Sequence, residues 1–378
     1  MKKVLFVIQS LHVGGAEREQ ITLANALANK GYNVTILMVT PLNDYKNELD
    51  SRIKLIYKAP DRHIGNKIPY IRYKYYDDCM WELRATPEQL HRYYVGRKKY
   101  DVEIAFFHGL AVKIVAGSKN KNALKLAWIH HDLQRLAVVM PKDWDELRRL
   151  YHRYDKIVCV SEFAKNSFIE TIGSDCSVST IYNLLPIAEI KEKAEQKPER
   201  TVKRAALNLV LVARFNKTKG YGRLFRAIAN LRKTGRFISL AYIGAGKRAP
   251  IDELIEELKA EDYISVIEGK DNPYPYIKNA DLLVCASFTE GYNLTVAEAL
   301  VLGTPVLSTD CEGPREILDN GKYGMLVENS EQGLYDGLLR LYDNPHLLEG
   351  YKKMTAERMD FFDEERILGQ ITALFEKG

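Results

Sequence analysis

Short apolar runs alternate with segments of helical periodicity along most of this chain, and this alternation limits the folds that are possible. The first run, Val4–Ser10, precedes a predicted helix at Ala16–Lys30, and Gly31 ends that helix before a second run at Asn33–Thr40. The runs lack a clear alternation of inward and outward positions, which is typical of parallel strands covered by helices on both faces. Strand, helix and strand in series therefore predict right-handed crossovers and an open α/β sheet.

A change in composition divides the alternation into two windings. The stretch 188–205 is rich in Glu and Lys, contains Pro198 and carries few large apolar side chains, so we predict a linker there. A second series of strands and helices begins at Leu207. The simplest architecture is α/β, with two Rossmann-like, doubly wound parallel-sheet domains, 1–187 and 206–360, facing each other across a ligand-binding cleft. After the first two, the predicted strands are Ile53–Tyr57, Val102–Phe107, Leu126–His130, Lys156–Ser161, Leu207–Phe215, Phe237–Gly244, Tyr263–Ile267, Asp281–Ala286, Pro305–Thr309 and Met325–Val327.

The composition excludes several classes of protein. Of the 378 residues, 46% are hydrophobic and 28% are charged, as in soluble globular proteins, and the net charge of +5 does not indicate a nucleic-acid partner. No apolar run approaches the ~18 residues of a membrane-spanning helix, and the first run is shorter than the core of a signal peptide. The five cysteines form no Cys-x-x-Cys pair, which favours reduced cytoplasmic thiols over disulfides or a zinc site. We expect a cytoplasmic protein, free or peripheral on a membrane.

One segment does not fit the alternation of strands and helices. Pro60–Tyr100 contains seven tyrosines, and between Asp61 and Lys99 there are nine Lys or Arg residues against five Asp or Glu residues. One interpretation is an inserted pair of helices with a solvated face. The other is a surface that contacts anionic lipid headgroups or an acceptor, because basic segments rich in aromatic residues lie in membrane interfaces.

Two loops carry groups that suit an anionic ligand. Gly14 and Gly15 follow the first predicted strand and open the first helix, where the backbone can approach a ligand closely and offer N–H groups to an anion. Arg214 and Lys219 follow the first strand of the second winding, and they combine bidentate and compact positive charge suited to a diphosphate. The structural alternatives are a glycine turn without a ligand and an ordinary solvated basic loop.

The stretch A-S-F-T-E-G-Y-N-L-T-V-A-E-A-L places two glutamates, Glu290 and Glu298, eight residues apart in apolar surroundings. We predict a strand, a turn and a helix here, with Asn293 as the helix N-cap. Glu290 then lies in the turn and Glu298 about one turn into the helix, with N–H groups near Tyr292–Leu294 available to a phosphate. Because a carboxylate does not bind phosphate, we expect both glutamates to accept hydrogen bonds from hydroxyls on either side of it, on a sugar and on a ribose.

This run, followed by A-L-V-L-G-T-P-V-L-S-T, resembles the E-x7-E signature of the retaining glycosyltransferases of the GT-B fold, most closely family 4. The resemblance covers nearly the whole chain. It implies an N-terminal acceptor domain over 1–187, a nucleotide-sugar domain over 206–360, and a C-terminal helix over 361–378 that packs back on the first domain.

The resemblance also implies a role for each matching residue. Glu290 would contact hydroxyls of the donor sugar, and Glu298 would contact the ribose. The basic pair would bind the diphosphate and stabilise the departing nucleotide, and backbone N–H groups of the N-cap turn would bind the same phosphates. The glycine loop would close over the diphosphate and face the acceptor. The basic pair is Arg214 and Lys219, the N–H groups of the N-cap turn are those of Tyr292, Asn293 and Leu294, and the glycine loop contains Gly14 and Gly15.

The loop W-I-H-H-D-L matches the place where the family keeps a histidine near the sugar. We favour His130 because it directly follows the apolar run, and His131 is the alternative. For either residue, a histidine that is bonded inside the fold and has no contact with substrate is the structural alternative.

The function that the resemblance implies is transfer of a sugar from a nucleotide-diphosphate sugar to a hydroxyl, with retention at the anomeric carbon. A UDP-sugar is the favoured donor, with GDP-mannose second. No metal or cofactor is expected, because Arg214, Lys219 and a helix terminus can stabilise the departing diphosphate electrostatically. The segment Pro60–Tyr100 favours a lipid-linked saccharide acceptor and an anionic membrane surface as partners, in bacterial surface polysaccharide synthesis.

Three other functions are compatible with some of these residues. A glycoside hydrolase uses two carboxylates as acid and nucleophile, but Arg214, Lys219 and the phosphate-binding turn would then have no role. A nucleotide-sugar epimerase has a similar two-domain fold and would turn over the donor without an acceptor. A non-catalytic partner of another transferase is the third alternative, and the presence of both glutamates and both basic residues argues against it.

Overall fold

The computed structural model describes residues 1–12, 14–57, 84–134, 144–269 and 272–376. The chain divides into two compact units, an N-terminal unit of Met1–Leu184 with Glu365–Gly378 and a C-terminal unit of Leu185–Glu364. Each unit contains one parallel sheet. In the described ranges, no helix is long and apolar enough to cross a bilayer.

Seven described strands form the sheet of the N-terminal unit, in the order β3-β2-β1-β4-β5-β6-β7, and all neighbours are parallel. The strands are β1 (Lys3–Ile8), β2 (Asn33–Met38), β3 (Lys54–Tyr57), β4 (Val102–Ala105), β5 (Leu124–Ile129), β6 (Lys156–Cys159) and β7 (Val178–Thr180). The helices that connect them are α1 (Gly15–Asn29), α2 (Pro87–Tyr94), α3 (Leu110–Ala116), α4 (Trp144–Tyr151) and α5 (Glu162–Ile172). The order changes direction between β1 and β4, so the loops after these strands lie side by side at the carboxyl edge, where such sheets bind ligands.

Six described strands form the sheet of the C-terminal unit, in the order β10-β9-β8-β11-β12-β13, again with parallel neighbours. The strands are β8 (Leu207–Val212), β9 (Ile238–Gly244), β10 (Ile264–Glu268), β11 (Leu282–Cys285), β12 (Val306–Thr309) and β13 (Met325–Val327). The helices are α6 (Ile187–Ala194), α7 (Tyr221–Lys233), α8 (Ala249–Leu258), α9 (Tyr274–Lys278), α10 (Leu294–Val301), α11 (Glu312–Ile317), α12 (Glu331–Asp343) and α13 (Pro345–Met354), with 3-10 turns at Lys217–Lys219 and Thr355–Phe362. In this sheet the strand order changes direction between β8 and β11.

The central strands of both sheets are buried on both faces. Every residue of β4, β11 and β12 is buried. In the C-terminal unit, α7 and α12 pack together, and α6, α9 and α10 form a second packed group. Right-handed crossovers place these two groups on opposite faces of the sheet. The predicted α/β architecture of two doubly wound parallel sheets is therefore confirmed.

The stretch predicted as a linker, 188–205, is partly helical. Its first half belongs to α6, in which Ile190 and Ala194 are buried. Together with Ile187 these residues recur at helical spacing on one face, while the Glu and Lys residues that suggested a linker occupy the other. The C-terminal unit accordingly begins at Leu185, before the predicted linker.

The last helix of the chain, α14 (Glu364–Glu376), packs within the N-terminal unit. Phe375 is buried, and its ring forms a T-shaped pair with that of Tyr32 at a centroid distance of 5.5 Å. The ammonium group of Lys2 donates a hydrogen bond to the carbonyl of Phe375. The helix starts later than the predicted range 361–378, because a 3-10 turn that ends at Phe362 precedes it.

The tyrosine-rich segment Pro60–Tyr100 is described only in part, since residues 60–83 lie outside the described ranges. The described part contains α2, which begins with a reciprocal capping box between Thr86 and Gln89. Tyr94 is buried against the core, whereas Tyr93 is exposed. Both interpretations of the segment stay predictions.

Candidate active site

The loop between β11 and α10 carries Glu290 and fixes its side chain. Glu290 Oε1 accepts hydrogen bonds from Lys219 Nζ and from Ser287 Oγ, each at 2.6 Å. The Glu290 side chain is only 11% exposed, and that of Lys219 is 21% exposed. Both donors use the same oxygen, so Oε2 has no hydrogen-bond partner among the described residues and is left to accept one from a ligand.

Glycines bring the surrounding backbone close enough to form this cluster. Gly220, directly after Lys219, has a φ of +69°, and a Cβ there would lie 1.8 Å from the carbonyl oxygen of Ala286. A Cβ on Gly313 would lie 2.9 Å from Cα of Tyr292, and the Gly313 N–H donates to the carbonyl of Glu290 at 3.1 Å. Only glycine permits these two approaches, which hold the loops after β8 and β12 against the Glu290 loop.

The predicted N-cap is present at the start of α10. The Asn293 side chain accepts a hydrogen bond from the N–H of Val296 at 3.1 Å, and its amide nitrogen donates to Cys285 Sγ at 3.3 Å. The backbone N–H groups of Asn293 and Leu294 find no acceptor in the described ranges. Together with the helix dipole, these N–H groups form a position that suits a phosphate, next to the carboxylate of Glu290.

Glu298 lies on the inner side of α10 and is 6% exposed. Its Oε1 accepts a hydrogen bond from the hydroxyl of Tyr274, at the start of α9, at 3.0 Å. Sequence reasoning placed Glu298 on the helix but missed Tyr274. The two residues come from different crossover connections, and no local pattern links them.

Arg214 differs from the other residues predicted for this site. It is exposed, and its side chain has no hydrogen-bond or ion-pair partner in the described part of the chain. Its backbone carbonyl accepts a hydrogen bond from the hydroxyl of Tyr242 at 3.1 Å, which fixes the end of β8. The structure thus brings Lys219 and Glu290 together and leaves the guanidinium of Arg214 in solvent.

Arg223, on α7, holds the site loops together and was missed by sequence reasoning. The residue is only 7% exposed, and its guanidinium donates hydrogen bonds to the carbonyls of Ala286 and Ser287 at 2.6 and 2.9 Å. It also donates to the side-chain oxygen of Asn329 at 2.7 Å, in the loop after β13. Burial lowers the pKa of Arg223. In the sequence it resembles an exposed helix residue, and no signal there reveals its role.

In the N-terminal unit, His130 directly follows β5 and is buried among aromatic rings. Its ring centroid lies 4.7 Å from that of Phe106, and its Nε2 has no hydrogen-bond partner among the described residues. Burial, with smaller contributions from His131 and His108, lowers the pKa of His130 to about 3, although a hydrogen bond to the Phe106 backbone opposes the shift. His130 is therefore a neutral ring near pH 7.

His131 has a different environment from its neighbour. It is only partly buried, and its ring lies 5.5 Å from those of Phe107 and His108. The strand order puts the loops after β4 and β5 side by side, which explains how His108 joins the cluster.

The predicted glycine loop lies at the same carboxyl edge of the N-terminal sheet. Gly14 is the N-cap of α1 in an extended conformation, and the hydroxyl of Tyr45 lies 3.4 Å from its backbone nitrogen. A Cβ on Gly14 would lie 2.1 Å from the carboxylate of Glu17, and Gly15 is the first helical residue. The carboxylate of Glu17 beside this helix start was not anticipated, and it opposes binding of an anion there.

Two family models match the chain in succession. The model described as Glycosyltransferase Family 4 matches residues 13–188, and the model described as Glycosyl transferases group 1 matches residues 192–358. The two matches together cover every described strand except β1. The chain belongs to the group 1, family 4 type of glycosyltransferases.

A curated relative of this glycosyltransferase matches it over nearly its full length. It is the N-acetylgalactosamine-N,N'-diacetylbacillosaminyl-diphospho-undecaprenol 4-alpha-N-acetylgalactosaminyltransferase of Campylobacter jejuni, which is 25% identical over an alignment of 376 residues that covers 97% of each chain.

Solved structures of similar fold cover the whole chain. Sucrose-phosphate synthase from Thermosynechococcus elongatus gives a TM-score of 0.76 at 18% identity and covers 100% of this chain and 99% of that one. Anabaena HepE in complex with UDP and glucose gives 0.72 at 16% identity and covers 100% of both chains. At these identities the likeness concerns the fold, and it confirms the predicted GT-B class.

Proposed function

We propose that this glycosyltransferase moves a sugar from a UDP-sugar to a hydroxyl of a saccharide acceptor, with retention at the anomeric carbon and without a metal. The observation that carries the proposal is the position of the Glu290 carboxylate. It is held by Lys219 and Ser287 and lies beside the free N–H groups at the start of α10. One cluster thus offers an acceptor for sugar hydroxyls and donors for phosphate oxygens.

The diphosphate of the donor would bind at Lys219 and at the N–H groups of Asn293 and Leu294. The ammonium of Lys219 has three donors, so it can keep its contact with Glu290 and also contact a phosphate oxygen. Arg214, whose guanidinium lies in solvent near the end of β8, would add a second positive charge. Preorganised charges and N–H groups of this kind stabilise a departing diphosphate without a metal.

The remaining parts of the donor would lie on either side of the diphosphate. Oε2 of Glu290 would accept a hydrogen bond from a sugar hydroxyl. Glu298, buried and held by Tyr274, would accept hydrogen bonds from the ribose. His130 would serve the sugar as a neutral hydrogen-bonding ring, because its lowered pKa excludes a role as a charged acid near pH 7.

Retention follows from attack on the face from which the nucleotide departs. In the proposed step the bond from the anomeric carbon to the phosphate oxygen breaks, and a bond from that carbon to the acceptor oxygen forms. The proton of the acceptor hydroxyl passes to the departing phosphate oxygen. The protein then needs no covalent nucleophile and no separate base, and its contribution is electrostatic stabilisation of the leaving group.

The relatives support a UDP-sugar donor and a lipid-linked acceptor. HepE was solved with UDP and glucose, and the Campylobacter enzyme is named for a saccharide on diphospho-undecaprenol. We therefore propose that the reaction belongs to bacterial surface glycoconjugate synthesis and takes place at the cytoplasmic face of a membrane. The segment Pro60–Tyr100 would contact the anionic membrane surface.

The test combines nucleotide binding with a transfer screen. UDP, GDP and their sugars are compared by thermal shift, since a ligand that binds only the folded chain raises its melting temperature. Each UDP-sugar is then incubated with a panel of methyl glycosides and with a polyprenyl-diphosphate disaccharide, and release of UDP and the product anomer are measured. Lys233→Ala, a change of an exposed lysine on α7, is the control for variants of Lys219.

The outcomes of this screen separate the alternatives. Transfer with retention from a UDP-sugar supports the proposal. Turnover of the UDP-sugar to an epimer without an acceptor would indicate the epimerase, and binding of UDP-sugars without turnover would indicate a non-catalytic partner. Transfer with inversion would contradict the mechanism.

A further inference from the structure

A buried arginine without an acidic partner supports the loop that carries Glu290. Arg223 is 7% exposed, and every hydrogen-bond acceptor of its guanidinium is a neutral oxygen. These acceptors are the backbone carbonyls of Ala286, Ser287 and Asn329 and the side-chain oxygen of Asn329. Within the described ranges, no carboxylate forms an ion pair with this arginine.

The hydrogen bonds of Arg223 satisfy its N–H donors but leave its positive charge uncompensated. A buried charge is unfavourable unless an opposite charge lies near it, and burial lowers the pKa of Arg223 for this reason. The residue is also the third of α7, and the N-terminus of a helix is the positive end of its dipole. The ring of Phe288, whose centroid lies 4.0 Å from the guanidinium, offsets only part of this cost. The fold thus keeps a cation at a position that disfavours it.

The uncompensated charge lies close to the position proposed for the donor diphosphate. The guanidinium of Arg223 donates to the carbonyl of Ser287 at 2.9 Å, and the hydroxyl of the same serine donates to Glu290 Oε1 at 2.6 Å. It also donates to the carbonyl of Ala286, and the sulfur of the preceding cysteine accepts a hydrogen bond from Asn293, the N-cap of α10. Because a buried charge is screened by salt much less than an exposed one, its field reaches a phosphate at this N-cap.

The other charges of this cluster do not balance the arginine. The ammonium of Lys219 and the carboxylate of Glu290 form an ion pair with each other, so Arg223 leaves the cluster with an excess of positive charge. The anion that the proposed function brings to this position is a diphosphate.

We propose that the buried charge of Arg223 is balanced by the diphosphate of the bound donor, which makes Arg223 a positioning residue for that group. The loop covers the guanidinium, so it acts through its field and through the backbone that it holds, without contact with the ligand. This inference rests on the proposed function and adds a third cation to Arg214 and Lys219. It predicts that the contribution of Arg223 to binding grows with the charge of the ligand.

The test separates the charge of Arg223 from its hydrogen bonds. Arg223→Gln removes the charge, and Arg223→Lys keeps the charge but loses the planar fork of donors. Arg226→Gln is the matched control, because Arg226 lies one turn further along α7, is exposed and has no hydrogen-bond or ion-pair partner in the described part of the chain. The ligands are uridine, UMP and UDP, which share the base and the ribose and differ in charge. Calorimetry gives each Kd, with uridine measured in competition with UDP, and thermal unfolding checks that each variant is folded.

We expect Arg223→Gln to weaken binding of UDP by about tenfold, of UMP by about threefold and of uridine by less than about twofold, because Coulombic attraction grows with the charge of the ligand. Arg223→Lys should keep the Kd of UDP within about threefold, although the lost hydrogen bonds lower its melting temperature. Arg226→Gln should change each Kd by less than about twofold, since solvent screens an exposed charge.

Equal losses of affinity for the three ligands in Arg223→Gln would overturn the proposal, because a residue with only a structural role would weaken them alike. The same graded loss in Arg226→Gln, or a loss of UDP affinity of about tenfold or more in Arg223→Lys, would also overturn it.

If Arg223→Gln does not fold, Arg223→Lys and the unmodified chain decide the question. UDP affinity kept by Arg223→Lys, together with tighter binding of UDP than of uridine by the unmodified chain, then supports the proposal. Equal affinity of the unmodified chain for UDP and uridine would overturn it. Absence of UDP binding by the unmodified chain would overturn the proposed function as well, whereas UDP binding with any of the other contrary results overturns this inference alone.

Discussion

The two candidate site regions hold their polar groups in opposite ways. In the C-terminal unit, the Glu290 carboxylate is paired with an ammonium group and a hydroxyl, and a helix N-terminus lies beside it. In the N-terminal unit, His130 is packed against the ring of Phe106, and burial keeps the imidazole uncharged at neutral pH. One region concentrates charge, and the other excludes it.

This difference indicates how the work of a sugar transfer would be divided. A departing diphosphate carries charge that must be met by preorganised charges and N–H groups, and in the proposed function Lys219, Asn293 and Leu294 would supply them. A neutral ring such as His130 can hydrogen-bond a sugar hydroxyl without attracting the diphosphate. Substitutions in the charged region of the C-terminal unit should therefore affect turnover most. Substitutions in the neutral region of the N-terminal unit should mainly affect the stability of the fold and the dependence of that stability on pH.

The largest effect is expected from Glu290→Gln. The amide keeps the size of the side chain but loses the charge that pairs with Lys219 and accepts hydroxyl hydrogen bonds, so transfer should fall by about 10³-fold. Initial rates of UDP release with a UDP-sugar measure this change. UDP alone should bind almost normally, and a rate within about threefold of the unmodified chain would contradict the assignment of Glu290.

The next largest effect is expected from Lys219→Ala. Removal of the ammonium group takes a positive charge from the diphosphate position and leaves Glu290 with only Ser287 as a partner, so kcat should fall by about 10²-fold. Affinity for UDP, measured by calorimetry, should fall too, whereas the exposed control Lys233→Ala should change neither value. Equal affinity for UDP in Lys219→Ala and in the control would contradict the assignment of Lys219 to the diphosphate site.

Gly220→Ala tests the packing that joins the two site loops. A Cβ at this position would lie 1.8 Å from the carbonyl of Ala286 at a φ of +69°, so we expect both strain and displacement of the Lys219 turn. Gly235 has a φ of +84°, and a Cβ on it would have no neighbouring atom within 4 Å. Gly235→Ala should therefore cost only about 1 kcal/mol of backbone strain, and Gly220→Ala about 2–4 kcal/mol, in urea unfolding. Equal losses would contradict the close approach.

The smallest effect is expected on the neutral side, as a change in the pH dependence of stability. The pKa of His130 is about 3 in the fold and 6.5 without its surroundings, so between these values the unfolded chain binds more protons. Stability should therefore fall as the pH drops from 6.5 towards 3, by an amount on the order of a few kcal/mol from this residue.

Comparison with variants isolates this contribution at each pH. His130→Gln should reduce the loss of stability between pH 6.5 and 3, whereas His346→Gln, at an exposed position, should leave it unchanged. Glu19 acts in the opposite direction, since burial raises its pKa to about 8 and favours the fold at low pH. Identical pH profiles for the unmodified chain and His130→Gln would contradict a buried, neutral His130.

Patterns that are local in sequence carried most of the correct predictions. Buried parallel strands are continuous apolar runs, so strands such as β1 and β8 could be located, and the two glutamates could be placed in a turn and on a helix. The N-cap of Asn293 follows from the same local rules. β7 was missed because the strand is only three residues long, Val178–Thr180, and these residues are only half-buried.

Interactions between distant segments could not be read in the same way. Arg223 is hydrogen-bonded to Asn329, 106 residues away, and Tyr274 on α9 is hydrogen-bonded to Glu298 on α10. Neither pair leaves a signal in its own neighbourhood, because the strand order that brings them together is a property of the whole sheet. The direct contact of Lys219 with Glu290 was missed for the same reason, although both residues were expected in the site.

The most direct test of the central claim, that the C-terminal unit binds the nucleotide-sugar through its two glutamates, is calorimetric titration of UDP and a UDP-sugar into three chains. The unmodified chain should bind both ligands. Glu298→Gln should weaken both about equally, because the ribose is common to them, and Glu290→Gln should weaken only the extra affinity contributed by the sugar. Unchanged UDP affinity in Glu298→Gln, together with unchanged UDP-sugar affinity in Glu290→Gln, would contradict the account.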